Sequence, residues 1–326
     1  MTSRWAEFEA RLRQVEADLQ KMERLLQSPS ISEERRAALR LRVDELKRRQ
    51  EQVTREVFSM LSPWDNVQLA RHQDRPYALD YVAAIFGDFV ELHGDRRFGD
   101  DPAVVAGLAS LHGRTVAVVG HQKGRDVKER QFRNFGSARP EGYRKSARVM
   151  QLAEKLGFPV ISFVDTPAAE SRLDAEERGI SNAIAENMEL MSSLRTPIVV
   201  TIIGEGGSGG AIGMAVGDHV MMLEHSIYSV IPPESCAVIL NTFGRDANRA
   251  PEAAEALRLA AKETMALGAV DEIIPEPLGG AHRNPAEAAA SVESAVTRAL
   301  TRLQAMPVDE LVKARYQKLR GVGHYL

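Results

Sequence analysis

The chain has 326 residues, 44% hydrophobic and 27% charged, with a formal net charge of −3 and one cysteine. That length and composition predict a globular protein with one large core plus appendages; the charge carries no general nucleic-acid signal, and the lone Cys236 excludes an intrachain disulfide or a Cys-cluster zinc site. No apolar run approaches the roughly 20 residues of a membrane span, and Met1-Thr-Ser-Arg-Trp5 opens a charged amphipathic segment rather than a secretory signal, so a cytoplasmic location without a membrane partner is predicted.

From Trp5, the residues Phe8, Leu12, Val15, Leu19, Met22 and Leu26 recur at spacings of three and four, which predicts an amphipathic helix. Ser28-Pro29-Ser30 ends it. Ser30 with Glu33 fits a capping box, and Leu39, Val43, Leu46, Val53, Val57 and Met60 continue the stripe on a second helix. Residues 1–62 are therefore predicted to form a coiled-coil-like hairpin whose charge run, 42–56, is a solvated face.

After a connector at 62–76 the pattern alternates between strand and helix. Segments 104–110 and 115–120 flank His112-Gly113-Arg114, a hairpin signal. A helix over 141–156 should stop at Gly157, followed by a strand at 159–164, a helix over 175–194 and a strand at 197–203. Strands separated by such helices imply parallel pairing through right-handed crossovers, with the site at the strand C-terminal ends.

The segment 203–218, IGEGGSGGAIGMAVGD, holds seven glycines in sixteen residues. It satisfies three patterns. Gly204-Glu-Gly206-Gly-Ser-Gly209 spells the dinucleotide fingerprint with Glu224 twenty residues past Gly204, but the few residues before the next strand make a short crossover. Gly206-Gly-Ser208-Gly-Gly210 spells a nucleophile elbow with Asp218 and His225 following in order, yet that order is easily met by chance. The third pattern needs no side chain: consecutive glycines at a strand-to-helix turn let main-chain N–H groups face one substrate oxygen, aided by the partial positive charge of the helix N-terminus. Such a donor is worth about 2.7–4 kcal/mol in a transition state, more than the roughly 0.5–1 kcal/mol that glycine costs in a regular element. Gly213 and Gly217 are read as close-packing positions.

Together with Arg133-Asn-Phe-Gly136, Arg139-Pro-Glu-Gly-Tyr-Arg-Lys145, Ala175-Glu-Glu-Arg-Gly179, Tyr228-Ser-Val230 and Pro233-Glu234, the glycine run resembles the carboxyltransferase alpha subunits of bacterial acetyl-CoA carboxylase. Leu61-Ser-Pro-Trp64, Gln68-Leu-Ala-Arg-His72, Arg75-Pro-Tyr77, Leu79-Asp-Tyr81 and Ala266-Leu-Gly-Ala-Val-Asp-Glu-Ile-Ile274 extend the likeness over nearly the whole chain. The resemblance implies an α/β, crotonase-like (ClpP/crotonase) spiral of β-β-α units, with the hairpin at 1–62, a core at 63–279 and a C-terminal helical segment at 280–326. It implies an α2β2 heterotetramer with a zinc-containing beta subunit, working with biotin carboxylase and the biotin carboxyl carrier protein. No metal is expected in this chain. The implied reaction moves the carboxyl group of carboxybiotin, held on the carrier, to acetyl-CoA, giving malonyl-CoA for fatty-acid synthesis; the complex also carries a nucleotide-binding, ATP-binding expectation.

By the same resemblance, Gly206 and Gly207 donate the N–H groups that stabilise the biotin oxygen, while the beta subunit supplies the matching site for the thioester. Gly209, Gly210, Ala168, Ala169, Tyr228, Glu234, Arg133 and Arg144 are implied to line the carboxybiotin and acyl-CoA pocket. The basic loop Lys123, Arg125, Lys128, Arg130, Arg133 and Arg139 is open to two readings, a solvated loop paired with Asp126, Glu129 and Glu141, or recognition of carboxylate or phosphate.

The chain departs from the family's Asp-Thr-Pro-Gly-Ala-Tyr-Pro-Gly, which reads here Asp165-Thr-Pro-Ala168-Ala-Glu170-Ser171-Arg172. A positive φ at 168 would cost alanine on the order of 1 kcal/mol. Ser235 and Asn241 stand where glycine and tryptophan are usual, and both are predicted to border the pocket. Three functions stay open: the acetyl-CoA carboxyltransferase subunit, a paralogue acting on another acyl-CoA, and a non-catalytic assembly or regulatory subunit.

Overall fold

The computed structural model describes residues 4–28 and 31–323; side chains before Glu7 and that of Glu9 are outside it. Helices α1 (Arg4–Leu26) and α2 (Glu33–Phe58) form an antiparallel pair. Ser30 lies outside the described residues, and the cap of α2 is Ser32, whose hydroxyl accepts from the Arg35 amide. Phe8 and Leu12 are buried against Leu69 of α3 (Pro63–Ala70) together with Val53, Val57 and Phe58, so the hairpin is fastened to the body by its apolar stripe. Ser62 and Asp65 close a reciprocal capping box on α3.

The body begins with α4 (Ala78–Ile85) and an antiparallel trio, β1 (Gly87–Glu91), β2 (Val104–Leu111) and β3 (Arg114–His121). His112 and Gly113 both have positive φ, 49° and 76°, which makes the two-residue turn read from the sequence. After α5 (Val127–Phe132) comes α6 (Pro140–Leu156), stopped by Gly157 at φ 73°. β4 (Val160–Thr166) then pairs parallel with β3. The single helix expected over 175–194 is two, α7 (Leu173–Glu177) and α8 (Ile180–Ser193), because Gly179 takes φ 76° and ends one before starting the other.

β5 (Ile198–Gly207) is longer than predicted: Gly204, Gly206 and Gly207 are strand, not turn. Its first half pairs parallel with β6 (His219–Leu223), and its last three residues pair with β7 (Ile227–Ser229). Between them α9 (Ser208–Ala215) makes a crossover of about two turns. α10 (Pro233–Ile239), α11 (Ala250–Ala256) and α12 (Ala261–Ala266) lead to β8 (Glu272–Ile274), parallel to β6, and to the closing helices α13 (Pro285–Gln304) and α14 (Val308–Arg320).

Sheet order is β1-β2-β3-β4-β5-β6-β8. Both faces are covered, so the central strands read as unbroken apolar runs rather than alternating ones. Ala117, Val119, Val160, Val164, Ile198, Val200 and Ile202 face α6, α8 and α9. Val116, Val118, Ile161, Phe163, Val199 and Ile203 face α4 and α13. No helix among the described residues is long and apolar enough to cross a membrane.

Where β5 changes neighbours, the Ile203 carbonyl accepts from buried Arg75, Nη2 at 3.0 Å and Nε at 3.3 Å. Arg75 is in turn paired with Glu276, 2.7 Å and 2.9 Å. Burial pushes Glu276 upward, but Arg75 holds its pKa at about 2.

Candidate active site

The end of β5 meets the loop that follows β4. Gly206 pairs with Thr166 of β4 on one side and Tyr228 of β7 on the other. A Cβ on Gly206 would lie 2.8 Å from the Tyr228 ring, one on Gly207 would lie 2.0 Å from the Pro167 carbonyl oxygen, and one on Gly210 would lie 2.5 Å from the Ala169 amide. These contacts bring Gly206, Gly207, Gly210, Ala168, Ala169 and Tyr228 into one cluster. Glycine is dictated here by close approach: a side chain at 207 or 210 would push the 166–169 loop away, and one at 206 would strike the Tyr228 ring.

β5 turns into α9 at Ser208, φ 50°, so the strand-to-helix turn is strained at a non-glycine residue. No side chain caps the first turn of α9. A cavity of about 450 Å³ opens on that turn, lined by Ser208, Gly209 and Tyr228 and, across from them, by Leu257, Arg258 and Thr264. Its lining is mostly apolar, the composition usual for small-molecule sites of this size. Burial pushes the Tyr228 phenol up to about 12, so it stays protonated and can donate.

Below the glycines lies a buried charge network that sequence reasoning missed. Lys123 Nζ is 2.7 Å from both Asp165 Oδ1 and Glu205 Oε2. Arg71 Nε reaches the other oxygen of Glu205 at 2.6 Å and its remaining nitrogens pair with Glu234 at the start of α10. The Glu205 amide donates to Asp165 Oδ1 at 2.9 Å, fixing the main chain just before Gly206. Burial pushes Asp165 up despite the nearby ammonium, whereas Glu205, also opposed by burial, is held below the usual carboxylate range by Lys123 and Arg71 together. The partners are 82 and 134 positions apart in sequence, so no local pattern announces them.

The altered loop is well formed. Ala168 is not at positive φ, so alanine carries no backbone strain there. Glu170 is buried and accepts from the amides of Ser171 and Arg172, from the Arg172 guanidinium at 2.7 Å and from Asn134 at 2.7 Å. Burial would raise this carboxylate, but these bonds hold its pKa at about 2. Arg172 also donates to Asn134, so the two charged departures from the family motif lock the loop to the 134–138 turn.

Other predicted residues lie elsewhere. Arg133 donates to the Pro102 carbonyl, and Arg144 to the Arg178 carbonyl at 2.5 Å; neither lines the cavity. Glu234 is engaged by Arg71. Ser235 and Asn241 are exposed beside α10 and do not line the cavity either. The basic loop is largely consumed internally: Lys123 in the network, Arg125 by Asp80 at 2.5 Å, Arg130 by the Gly124 carbonyl; Glu141 pairs with Arg178 rather than with the loop. His225, the would-be partner of Ser208, is instead bonded to Asn66 at 3.1 Å and packed on Phe58.

The nucleotide- and ATP-binding expectation is corrected. Gly204 and Gly206 belong to β5, so the fingerprint forms no phosphate-cradling turn. Among the described residues no group of three or more His, Cys, Asp or Glu side chains is placed to hold a metal ion.

Comparison with known proteins places this geometry. Among solved structures the chain resembles the transcarboxylase 12S core with hydrolysed methylmalonyl-coenzyme A bound, at TM-score 0.58 and 18% identity over 75% of this chain and 45% of that one. It also resembles a Pseudomonas malonate decarboxylase hetero-tetramer in complex with coenzyme A, at TM-score 0.58 and 17% identity over 73% and 91%. At that identity the likeness shows the fold, which is the crotonase-like one. Curated relatives include the acetyl-coenzyme A carboxylase carboxyl transferase subunits alpha of Burkholderia vietnamiensis (strain G4 / LMG 22486) and Burkholderia cenocepacia (strain HI2424), each 50% identical over all of this chain and 98% of its own length. The model of the acetyl co-enzyme A carboxylase carboxyltransferase-like family matches residues 5–323, and the chain belongs to that family as a carboxyltransferase alpha subunit.

Proposed function

We propose that this chain is the half of an acetyl-CoA carboxyltransferase that receives the biotin-borne carboxyl group, working with a zinc-containing beta subunit as an α2β2 assembly in the cytoplasm, alongside biotin carboxylase and the carrier protein. Residues 1–62 form its hairpin, 63–279 its transferase core and 280–326 its C-terminal helical segment. Carboxybiotin supplies an activated carboxyl group; the product is malonyl-CoA for fatty-acid synthesis.

The observation that carries this reading is the position of Gly206-Gly207 at the C-terminal end of β5, directly before an uncapped helix on which the 450 Å³ cavity opens. Main-chain N–H groups of Gly206 and Gly207 stabilise the oxyanion that develops as the carboxyl group moves, and Gly209, Gly210, Ala168, Ala169 and Tyr228 shape the surrounding pocket. Glu234 acts at one remove, through Arg71 and Glu205. The exposed apolar residues Val230, Val238, Ile239 and Leu240 suit a surface that a partner subunit covers.

Malonyl-CoA formation by the chain reconstituted with its beta subunit and a carboxylated carrier tests the reading. Gly206→Val keeps the amide but drives a side chain into the Tyr228 ring and so displaces the donor; turnover by wild type with loss of at least about a hundredfold in the variant is expected, the scale of an oxyanion donor put out of position. No turnover by wild type, or full turnover by the variant, sinks it. The other two functions have less support, because the altered loop that suggested them is internally satisfied through Glu170.

A further inference from the structure

Arg258 sits between α11 and α12 at φ 50°, the left-handed residue that ends α11, its amide donating to the Glu255 carbonyl at 3.2 Å; arginine adopts this conformation at a cost. The backbone around it is locked. Leu257 N donates to Ala253 O at 2.9 Å, Leu259 is fully buried and its carbonyl accepts from Tyr228 N at 2.9 Å, and Ala260 bridges to Ile227. The strained residue is thus held in place from both sides while its side chain is exposed at the cavity edge. Among the described residues its guanidinium makes no hydrogen bond or ion pair, although Glu255 lies one turn away and most arginines of the core are engaged.

Two further polar side chains of that cavity, the hydroxyls of Ser208 and Tyr228, also make no hydrogen bond among the described residues. By contrast Thr264 and Ser229 in the same wall donate to carbonyls of their own segments. A largely apolar chamber with two hydroxyls and one cation left over, the cation on a strained and immobilised backbone, has the parts of a site for a ligand with an apolar body and an anionic end.

We propose that Arg258 is the anion-binding residue of this cavity, taking a carboxylate or phosphate of the ligand that fills it. The inference rests on the transferase reading. That chemistry has two sources in the reaction, the transferred carboxylate of the biotinyl donor and the phosphates of coenzyme A. Arg258 is a specificity residue in either case.

The test uses the chain reconstituted with its beta subunit, varying the carboxylated carrier and acetyl-CoA separately for wild type, Arg258→Gly and Arg258→Lys. Arg258→Gly is expected to raise one KM by about tenfold or more, with the change in KM rather than in kcat, and Arg258→Lys to restore part of it by keeping the charge. A raised KM for the carrier assigns the carboxylate. A raised KM for acetyl-CoA that is absent with acetyl-pantetheine, which lacks the nucleotide phosphates, assigns the phosphates. Because glycine accepts φ 50° freely, the unfolding temperature of Arg258→Gly should equal or exceed that of wild type; a lower one would mark the arginine as structural and overturn the proposal. Unchanged KM values for both substrates overturn it while leaving the transferase reading intact. A wild-type assembly that forms no malonyl-CoA removes both.

Discussion

The place where a Cβ on Gly207 would stand is only 2.0 Å from the carbonyl oxygen of Pro167, so strand β5 and the loop after β4 touch main chain to main chain. Gly207→Ala must therefore displace that loop, and is expected to destabilise the protein by about 1–3 kcal/mol, the usual cost of overpacking. A Cβ on Gly209, by contrast, would meet only the end of the Ile184 side chain at 3.7 Å. Chemical denaturation should separate the two: Gly207→Ala shifts the midpoint and Gly209→Ala leaves it within about 0.5 kcal/mol. Equal midpoints would contradict the packing described for Gly207.

Lys123 holds two buried carboxylates that have little access to water. Replacing it by methionine leaves Glu205 with Arg71 alone and Asp165 with no ion-pair partner among the described residues, and a loss of about 3–5 kcal/mol is expected, the cost of breaking a buried pair from one side. The double change Lys123→Met with Asp165→Asn removes one of the stranded charges and should recover part of that loss. Thermal unfolding of the three proteins checks this, and additive effects of the two changes would rule out the coupling.

Glu170 gives a pH dependence with a definite sign. Its carboxyl titrates at about 2 in the folded chain against 4.5 for an unperturbed glutamate, so between those values the unfolded state binds more protons. Its contribution is complete above about pH 5 and disappears as the pH falls through about 2. Glu170→Gln removes that titration. The stability of wild type relative to the variant should shrink as the pH is lowered from 5 to 2, measured by denaturant midpoints; a constant difference across that range would show that the hydrogen bonds to Asn134 and Arg172 do not hold the charge.

Ser208 offers a fourth check. It combines the sequence of a nucleophile elbow with the strained turn of one, φ 50°, but His225 is committed to Asn66. Ser208→Gly removes the hydroxyl and accommodates the left-handed backbone. It should retain at least about a tenth of wild-type kcat, where loss of a catalytic nucleophile would cost several orders of magnitude.

Much of this architecture was legible in local sequence. The stripe from Phe8 to Leu26, the His112-Gly113 turn and the Gly157 stop each follow from rules that operate over a few residues, and the structure has the corresponding elements. The apolar spacing over 175–194 fits one helix and does not reveal the break, because the positive φ of Gly179 is a backbone choice that periodicity does not encode. The sequence ends the strand at 203 and puts Gly204 to Gly207 in the strand-to-helix turn; pairing with β4 and β7 on both sides instead extends β5 through them, against the low strand preference of glycine. The cluster of Gly206, Ala168 and Tyr228 emerged from family likeness, not from spacing. The roles of Arg71, Glu205 and Arg258 were not visible by either route, since they depend on which distant segments meet.

The exchange of neighbours along β5 takes place on one edge alone. On one edge β5 keeps β4 as its neighbour from Ile198 to Gly206, while on the other edge β6 accompanies it up to Ile202 and Ile227-Tyr-Ser229, the arm that leads into α10, from Glu205 onward. One rivet, Arg75 on the Ile203 carbonyl, marks the seam. Gly206 is thus the point where the sheet proper and the arm share one strand, wedged between Thr166 and Tyr228.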